Sequence, residues 1–287
     1  MSIEYNLPFK TRELKGVRTS KNTAAEMLES HLGIQFPVKP DAVVLDWKNK
    51  LAYAKSQRVA TTIGSMIKMK SASGYYDPAY HTYFTGKDND LFVSLHENMH
   101  GFNASVNYEF GGLSKKLADM VEAQVGGAGS QTIDIEKTMV LRCVDEGIAQ
   151  WSAMEVAKEL PDDFSVEDIE NVRNGMFGIN KTDNKNIIPD RHFIEQQFDK
   201  VQEAIDLYKQ AHNSEGNSVL RLGFKAEAVS SEALYITGLY FTEKAIKYLL
   251  DKGFSKGEAL TILVKNPPTT INEIKNPDTF INHLQNR

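Results

Sequence analysis

The chain carries a single cysteine, Cys143, among 287 residues. That excludes an intramolecular disulfide and any zinc site built from a cluster of thiolates. Cys143 lies in Val140-Leu141-Arg142-Cys143-Val144, which reads as a helix interior, so it is expected to act as a small buried hydrophobe rather than a nucleophile. Long apolar runs are also missing. The longest, Leu234 to Phe241, is broken by Thr237 and Gly238 and falls far short of the roughly 20 residues that cross a bilayer. The opening Met1-Ser2-Ile3-Glu4-Tyr5-Asn6-Leu7-Pro8 has neither the basic nor the apolar region of a secretory signal. The expected compartment is the cytoplasm, with no membrane partner. Basic charge is not in excess, since 33 Lys and Arg stand against 38 Asp and Glu, a formal net charge of -5. Affinity for nucleic acid rests largely on Lys and Arg neutralising phosphates, so no nucleic-acid partner is expected. Short clusters such as Lys48-Asn49-Lys50 and Ser114-Lys115-Lys116 read as solvated faces.

What is present is the composition of a globular protein, 41% hydrophobic and 25% charged. No internal repeat is visible. The first third mixes signals and the remainder is helical. Asn22 to His31 reads as a helix closed by Gly33, and Asp41 to Trp47 as a short strand. Leu51 to Gly86 reads as strand and turn, with β-prone Thr61-Thr62-Ile63, a small-residue turn at 71–74, and Tyr75-Tyr76-Asp77-Pro78 leading into His81 to Gly86. Helices follow over Leu91 to Ala104, capped by Asn89 or Asp90, and over Leu113 to Ala123. A Gly-rich loop at 126–129 separates these from Ile133 to about Leu160, stopped by Pro161. Further helices are expected over Ser165 to Met176, Asp190 to His212, Ser231 to Lys252 and Lys256 to Val264, with a last short one from Pro277. Asn266-Pro267-Pro268-Thr269-Thr270 reads as a turn. The expected fold class is α+β, with a mixed lobe over 1–126 and a helical lobe over 127–287.

The chemistry concentrates in Leu91-Phe92-Val93-Ser94-Leu95-His96-Glu97-Asn98-Met99-His100. Two histidines four apart on a helix project from one face, so both imidazoles can reach one metal ion, and the glutamate between them lies beside its open position. Phe92, Leu95, Met99 and Phe102 form an apolar stripe beside the histidines and turn this face inward. Inward histidines without partners are costly, and coordination would satisfy them. Three protein ligands and a water make the usual catalytic zinc site, with two His and one Glu among its known forms. Glu146, in Val144-Asp145-Glu146-Gly147-Ile148-Ala149-Gln150-Trp151, is the candidate third ligand, against the plain reading of an exposed helix carboxylate. Small Gly147, Ala149 and Ala153 would let its helix approach a neighbour closely.

The His-Glu-x-x-His motif followed by Glu-Gly-x-Ala resembles the gluzincin metallopeptidases, in particular the peptidase MA-like and aminopeptidase N group. That resemblance implies a zincin-like fold and one zinc ion held by His96, His100 and Glu146, with Glu97 as general base. Tyr235-Ile236-Thr237-Gly238 resembles the Tyr-x-x-Gly of the same group, whose tyrosine steadies the oxyanion. Tyr240 is the alternative, and a core role is open for either. The segment Gly74 to Gly86 resembles the edge strand on which zinc peptidases bind extended peptide, and His81 falls on it. No Gly-x-Met-Glu-Asn motif precedes His96, so the amine-binding glutamate of aminopeptidases is not evident. Asn103 and Val106 stand where the metzincin pattern needs Gly and a third His.

The implied activity is zinc-dependent hydrolysis of a peptide or protein substrate. Two other readings keep the zinc: a binding or scaffold protein without turnover, and a hydrolase of non-peptide substrates. The other histidines, His31, His192, His212 and His283, lie outside ligand spacing and read as surface or structural residues.

Overall fold

The computed structural model describes residues 19–44, 49, 74–85, 90–126, 132–179 and 190–285. Thr61 to Ile63, the turn at 71–73, Gly86 and Gly127 to Gly129 lie outside the described residues. Among the described residues the architecture is α+β, with one three-stranded sheet and a predominance of helix. The chain divides into two compact units. One comprises Met1–Gly112, Ser152–Glu159 and Ser255–Lys265, and the other Leu113–Trp151, Leu160–Phe254 and Asn266–Arg287.

In the first unit, helix α1 (Thr23–Leu32) begins where the Asn22 side chain accepts a hydrogen bond from the Ala25 amide and ends at Gly33, whose φ of 68° suits glycine. Three strands follow, β1 (Asp41–Val44), β2 (Gly74–Asp77) and β3 (Thr82–Thr85), in the order β1-β3-β2. β3 pairs in parallel with β1 and antiparallel with β2, with Tyr76 opposite Tyr83. The pleat sends alternate side chains to opposite faces. Ala42, Tyr76 and Tyr83 cluster with Ala104 of helix α2 (Leu91–Val106), while Val43, Tyr80 and Phe84 cluster on the other face with Tyr75 against them. α2 therefore lies across one sheet face. Phe102 also meets Phe36 edge to face, with ring centroids 5.4 Å apart. A one-turn 3-10 segment, Tyr108–Phe110, follows, and helix α8 (Lys256–Lys265) packs on α2 where the Asn107 amide donates to the Val264 carbonyl at 2.9 Å.

His81 corrects one expectation. It is not within a strand but closes the turn between β2 and β3, with φ 48°, and it is buried. Its Nε2 lies 2.9 Å from the Val38 carbonyl, which can only accept, so Nδ1 accepts the Tyr76 hydroxyl at 2.7 Å. Burial pulls its pKa below the ordinary imidazole range, partly opposed by the Val38 bond and Asp41. His81 is a neutral structural residue of the turn.

The second unit is helical. It contains α3 (Leu113–Val125), the larger part of α4 (Ile135–Lys158), α5 (Val166–Met176), α6 (Arg191–His212), α7 (Asn217–Asp251), α9 (Ile271–Lys275) and α10 (Pro277–Gln285). α6 and α7 form a hairpin with the most extensive packing among the described elements. A half-buried charge cluster ties this hairpin to α4. Arg142 of α4 makes a two-pronged pair with Glu227, at 2.9 and 3.0 Å, and the Tyr208 hydroxyl donates to the same carboxylate. Burial works against the guanidinium charge, and Glu227 overrides it, holding Arg142 above its usual range. A second such pair, Arg173 with Glu243 at 2.6 and 2.7 Å, ties α5 to α7.

α7 begins at Asn217, well before the expected Ser231. The preceding Ser230 is buried in the helix interior, and its hydroxyl bonds back to the Ala226 carbonyl at 2.9 Å. α9 falls just after the expected turn, where Thr270 and Glu273 form a capping box. Among the described residues no helix is long and apolar enough to cross a membrane.

Candidate metal centre

α2 presents the histidine motif on a well-terminated helix. The Asp90 carboxylate accepts from the Val93 amide at 3.2 Å, and the Asn107 amide closes the last turn on the Asn103 carbonyl. Leu95, Met99 and Phe102 are at most 1% exposed, and Phe92 is half-buried, so the predicted stripe faces the core. Gly101, next to His100, is required for that seating: a carbon added to it would overlap the Pro40 ring and lie 3.3 Å from the Tyr76 ring.

His96 is buried and His100 half-buried. Their Nε2 atoms point at each other across 3.1 Å, with ring centroids 4.8 Å apart and ring planes at 79°. Two nitrogens at metal distances of about 2.0–2.1 Å from one tetrahedral ion are separated by roughly 3.3 Å. The pair therefore has the spacing of two ligands of one ion. Glu146 completes the set: one ligand atom each from His96, His100 and Glu146 all lie within 4.8 Å of one another. Among the described residues this is the one such group of His, Cys, Asp or Glu side chains. Two imidazoles and a carboxylate suit zinc, which takes nitrogen and oxygen donors in tetrahedral sites and keeps a fourth position for water when catalytic.

The turn carrying Glu146 is fixed by its neighbour in sequence. A carbon added to Gly147 would overlap the backbone of Gly238 on α7, lying 2.7 Å even from its Cα, and one added to Gly238 would overlap the Cys143 carbonyl and lie 2.9 Å from the Gly147 nitrogen. The two helices cross in direct backbone contact, and that brings together the glycines of the Glu-Gly-x-Ala and Tyr-x-x-Gly segments. Small Ala149 and Ala153 are fully buried, but the close approach is made by Gly147. Cys143 is buried at the same crossing, as expected, and burial pushes its thiol up to about 12, which leaves it protonated and unreactive near neutrality.

Tyr235 lies mid-helix on α7, one turn before Gly238, and is 36% exposed. Tyr240, the alternative, packs edge to face on Phe198 of α6 with centroids 6.1 Å apart. It is half-buried where α7 packs on α6.

Glu97 is half-buried beneath the sheet margin. Among the described strands β2 is at the sheet edge next to it, and a carbon added to Gly74 would overlap Val93 and lie 3.0 Å from Glu97 Cγ and 3.5 Å from its Oε1. Glycine lets the strand backbone lie directly on the motif helix. Tyr75, which the sequence did not single out, belongs to the same neighbourhood. Its phenol is raised well above the usual range, first by burial and then by the carboxylates of Asp77 and Glu97, so it stays a neutral donor. Of the remaining histidines, His31 pairs with Glu159 at 2.8 Å, His192 with Gln196 at 3.0 Å, and His283 with Glu273 at 2.8 Å.

No protein-family model, curated protein or solved structure matches the chain.

Proposed function

We propose that the protein is a zincin-like, gluzincin-type zinc peptidase. The observation that carries the reading is the convergence of the His96 and His100 Nε2 atoms at 3.1 Å, one turn apart on α2, with a Glu146 ligand atom within 4.8 Å. These residues fit one zinc ion, with His96, His100 and Glu146 as its ligands. When bound, zinc would lower the pKa of a water and polarise the scissile carbonyl.

The chain's own residues supply the rest. Glu97 is not a ligand in this scheme. Its carboxylate accepts a proton from the attacking water as the new C–O bond forms, and returns it to the amine nitrogen as the C–N bond breaks. Among the described strands β2 is a sheet edge, beside Glu97, and an extended peptide would add to such an edge as a further strand. The Tyr235 hydroxyl donates to the developing oxyanion.

Incubating the zinc-loaded protein with a mixture of unstructured peptides, and following cleavage by mass spectrometry, tests the proposal. Cleavage that stops on adding a chelator and returns with zinc is expected. Bound zinc with no cleavage of any peptide would overturn the peptidase reading.

A further inference from the structure

The residue between Glu97 and Met99 is a buried polar side chain that the proposed chemistry does not use. Asn98 is 0% exposed. At about 100° per residue it lies roughly opposite the two histidines on α2, facing into the body of the first unit. Its Nδ2 donates to the Ser94 carbonyl at 2.7 Å, and its Oδ1 accepts from Asn22 Nδ2 at 2.7 Å. Asn22 Nδ2 also donates to the Pro40 carbonyl at 2.8 Å, and Asn22 Oδ1 caps α1 by accepting from the Ala25 amide at 3.0 Å. The Tyr83 hydroxyl on β3 is a further hydrogen-bond partner of Asn98. One pair of amides thus joins the motif helix to the start of α1, the chain just before β1, and the central strand.

We infer that Asn98, held by Asn22, is a positioning residue that sets the rotation of α2 about its axis and so the aim of His96, Glu97 and His100. The apolar contacts of Leu95, Met99 and Phe102 are non-directional and tolerate small rotations. Directional hydrogen bonds in a dry interior do not, because a misplaced buried amide loses its partner without gaining water. The consequence for the site is large. The imidazole nitrogens stand about 6 Å from the helix axis, so a rotation of about 10° carries them roughly 1 Å, whereas a functional constellation needs placement within about 0.5 Å. Gly101 and Pro40 meet on this helix as well, so the Asn22 bond to the Pro40 carbonyl holds the same chain segment that seats α2.

This inference rests on the metal-centre reading, and its test separates the two. Zinc affinity is measured by competition with a chromophoric chelator, well below the unfolding midpoint, for the unaltered protein, Asn98→Leu, Asn22→Ser and Val43→Ala. Asn22→Ser keeps a good helix cap while removing the amide, so it carries the test if Asn98→Leu fails to fold. Val43→Ala removes core volume on the opposite sheet face and serves as the purely destabilising control. Zinc dissociation constants are expected to rise about tenfold for the asparagine variants, as for other residues that orient ligands, and to stay unchanged for Val43→Ala. The visible absorption of the cobalt-loaded asparagine variants is expected to shift as well. Zinc bound as tightly by the asparagine variants as by the unaltered protein would overturn the positioning role, leaving the metal centre intact. Failure of the unaltered protein to bind zinc would overturn the metal centre and this inference with it.

Discussion

Gly238→Ala is expected to destabilise the second unit by about 4 kcal/mol or more, at the severe end for a single added methyl group. The direction is the informative part. In a helix interior, replacing glycine by alanine ordinarily stabilises by about 1 kcal/mol, because alanine loses less backbone freedom on folding. Here the new carbon would overlap the Cys143 carbonyl oxygen and press on the Gly147 nitrogen, both backbone atoms of a buried helix. A flexible side chain could swing aside; two packed backbones must separate along their length. Separation would open the contacts of Val144 and Ile148, both fully buried, and displace the adjoining turns that hold Glu146 and Tyr235. Chemical denaturation monitored by circular dichroism reads the effect. Gly147→Ala should behave alike, because its added carbon meets the same crossing from the other side. A variant as stable as the unaltered protein would contradict the direct backbone contact between α4 and α7.

Glu97→Gln is expected to lower the rate of peptide cleavage by about a thousandfold while leaving zinc bound. Removing a general base typically costs about 10²–10⁴-fold in rate. The amide has nearly the shape of the carboxylate, so the packing of Glu97 under Gly74 is retained. It cannot accept the proton that the attacking water must lose. Because Glu97 is outside the ligand set, metal content should not change, and that separates it from substitutions of His96, His100 or Glu146. Steady-state kinetics with a fluorogenic peptide, alongside metal analysis of the same sample, checks both halves. A rate within tenfold of the unaltered protein would remove Glu97 from the mechanism.

Local signals in this sequence were legible and distant ones were not. Asn22 and Gly33 bracket α1, Asp90 caps α2 and Ser165 caps α5 because capping chemistry acts within one turn of the chain. The pairing of His96 with His100 is likewise a property of helix geometry. Errors came where a local signal had a second meaning. The helix expected from Ser231 begins at Asn217, with Ser231 well inside α7. The turn expected over 266–270 is present, but the short helix after it, capped by Thr270 and Glu273, was not expected.

The candidate site divides the same way. Its candidate ligand types and proposed base were visible as a motif, and Glu146 as a carboxylate beside a glycine. The reason for that glycine was not visible, because Gly147 and Gly238 are distant in sequence and meet only through the crossing of two helices. Asn98 was hidden for a related reason. It occupies a position that the motif leaves open, and its partner Asn22 is an N-cap whose side chain does double duty.

The central claim is that His96, His100 and Glu146 hold one zinc ion. Zinc measured by plasma mass spectrometry on folded protein, after zinc loading and removal of loose metal, tests it most directly when set beside a His100→Ala variant. The account predicts one zinc per chain in the unaltered protein and substantially less in the folded variant. Absence of stoichiometric zinc from the unaltered protein, or its full retention when His100 is replaced, would contradict it.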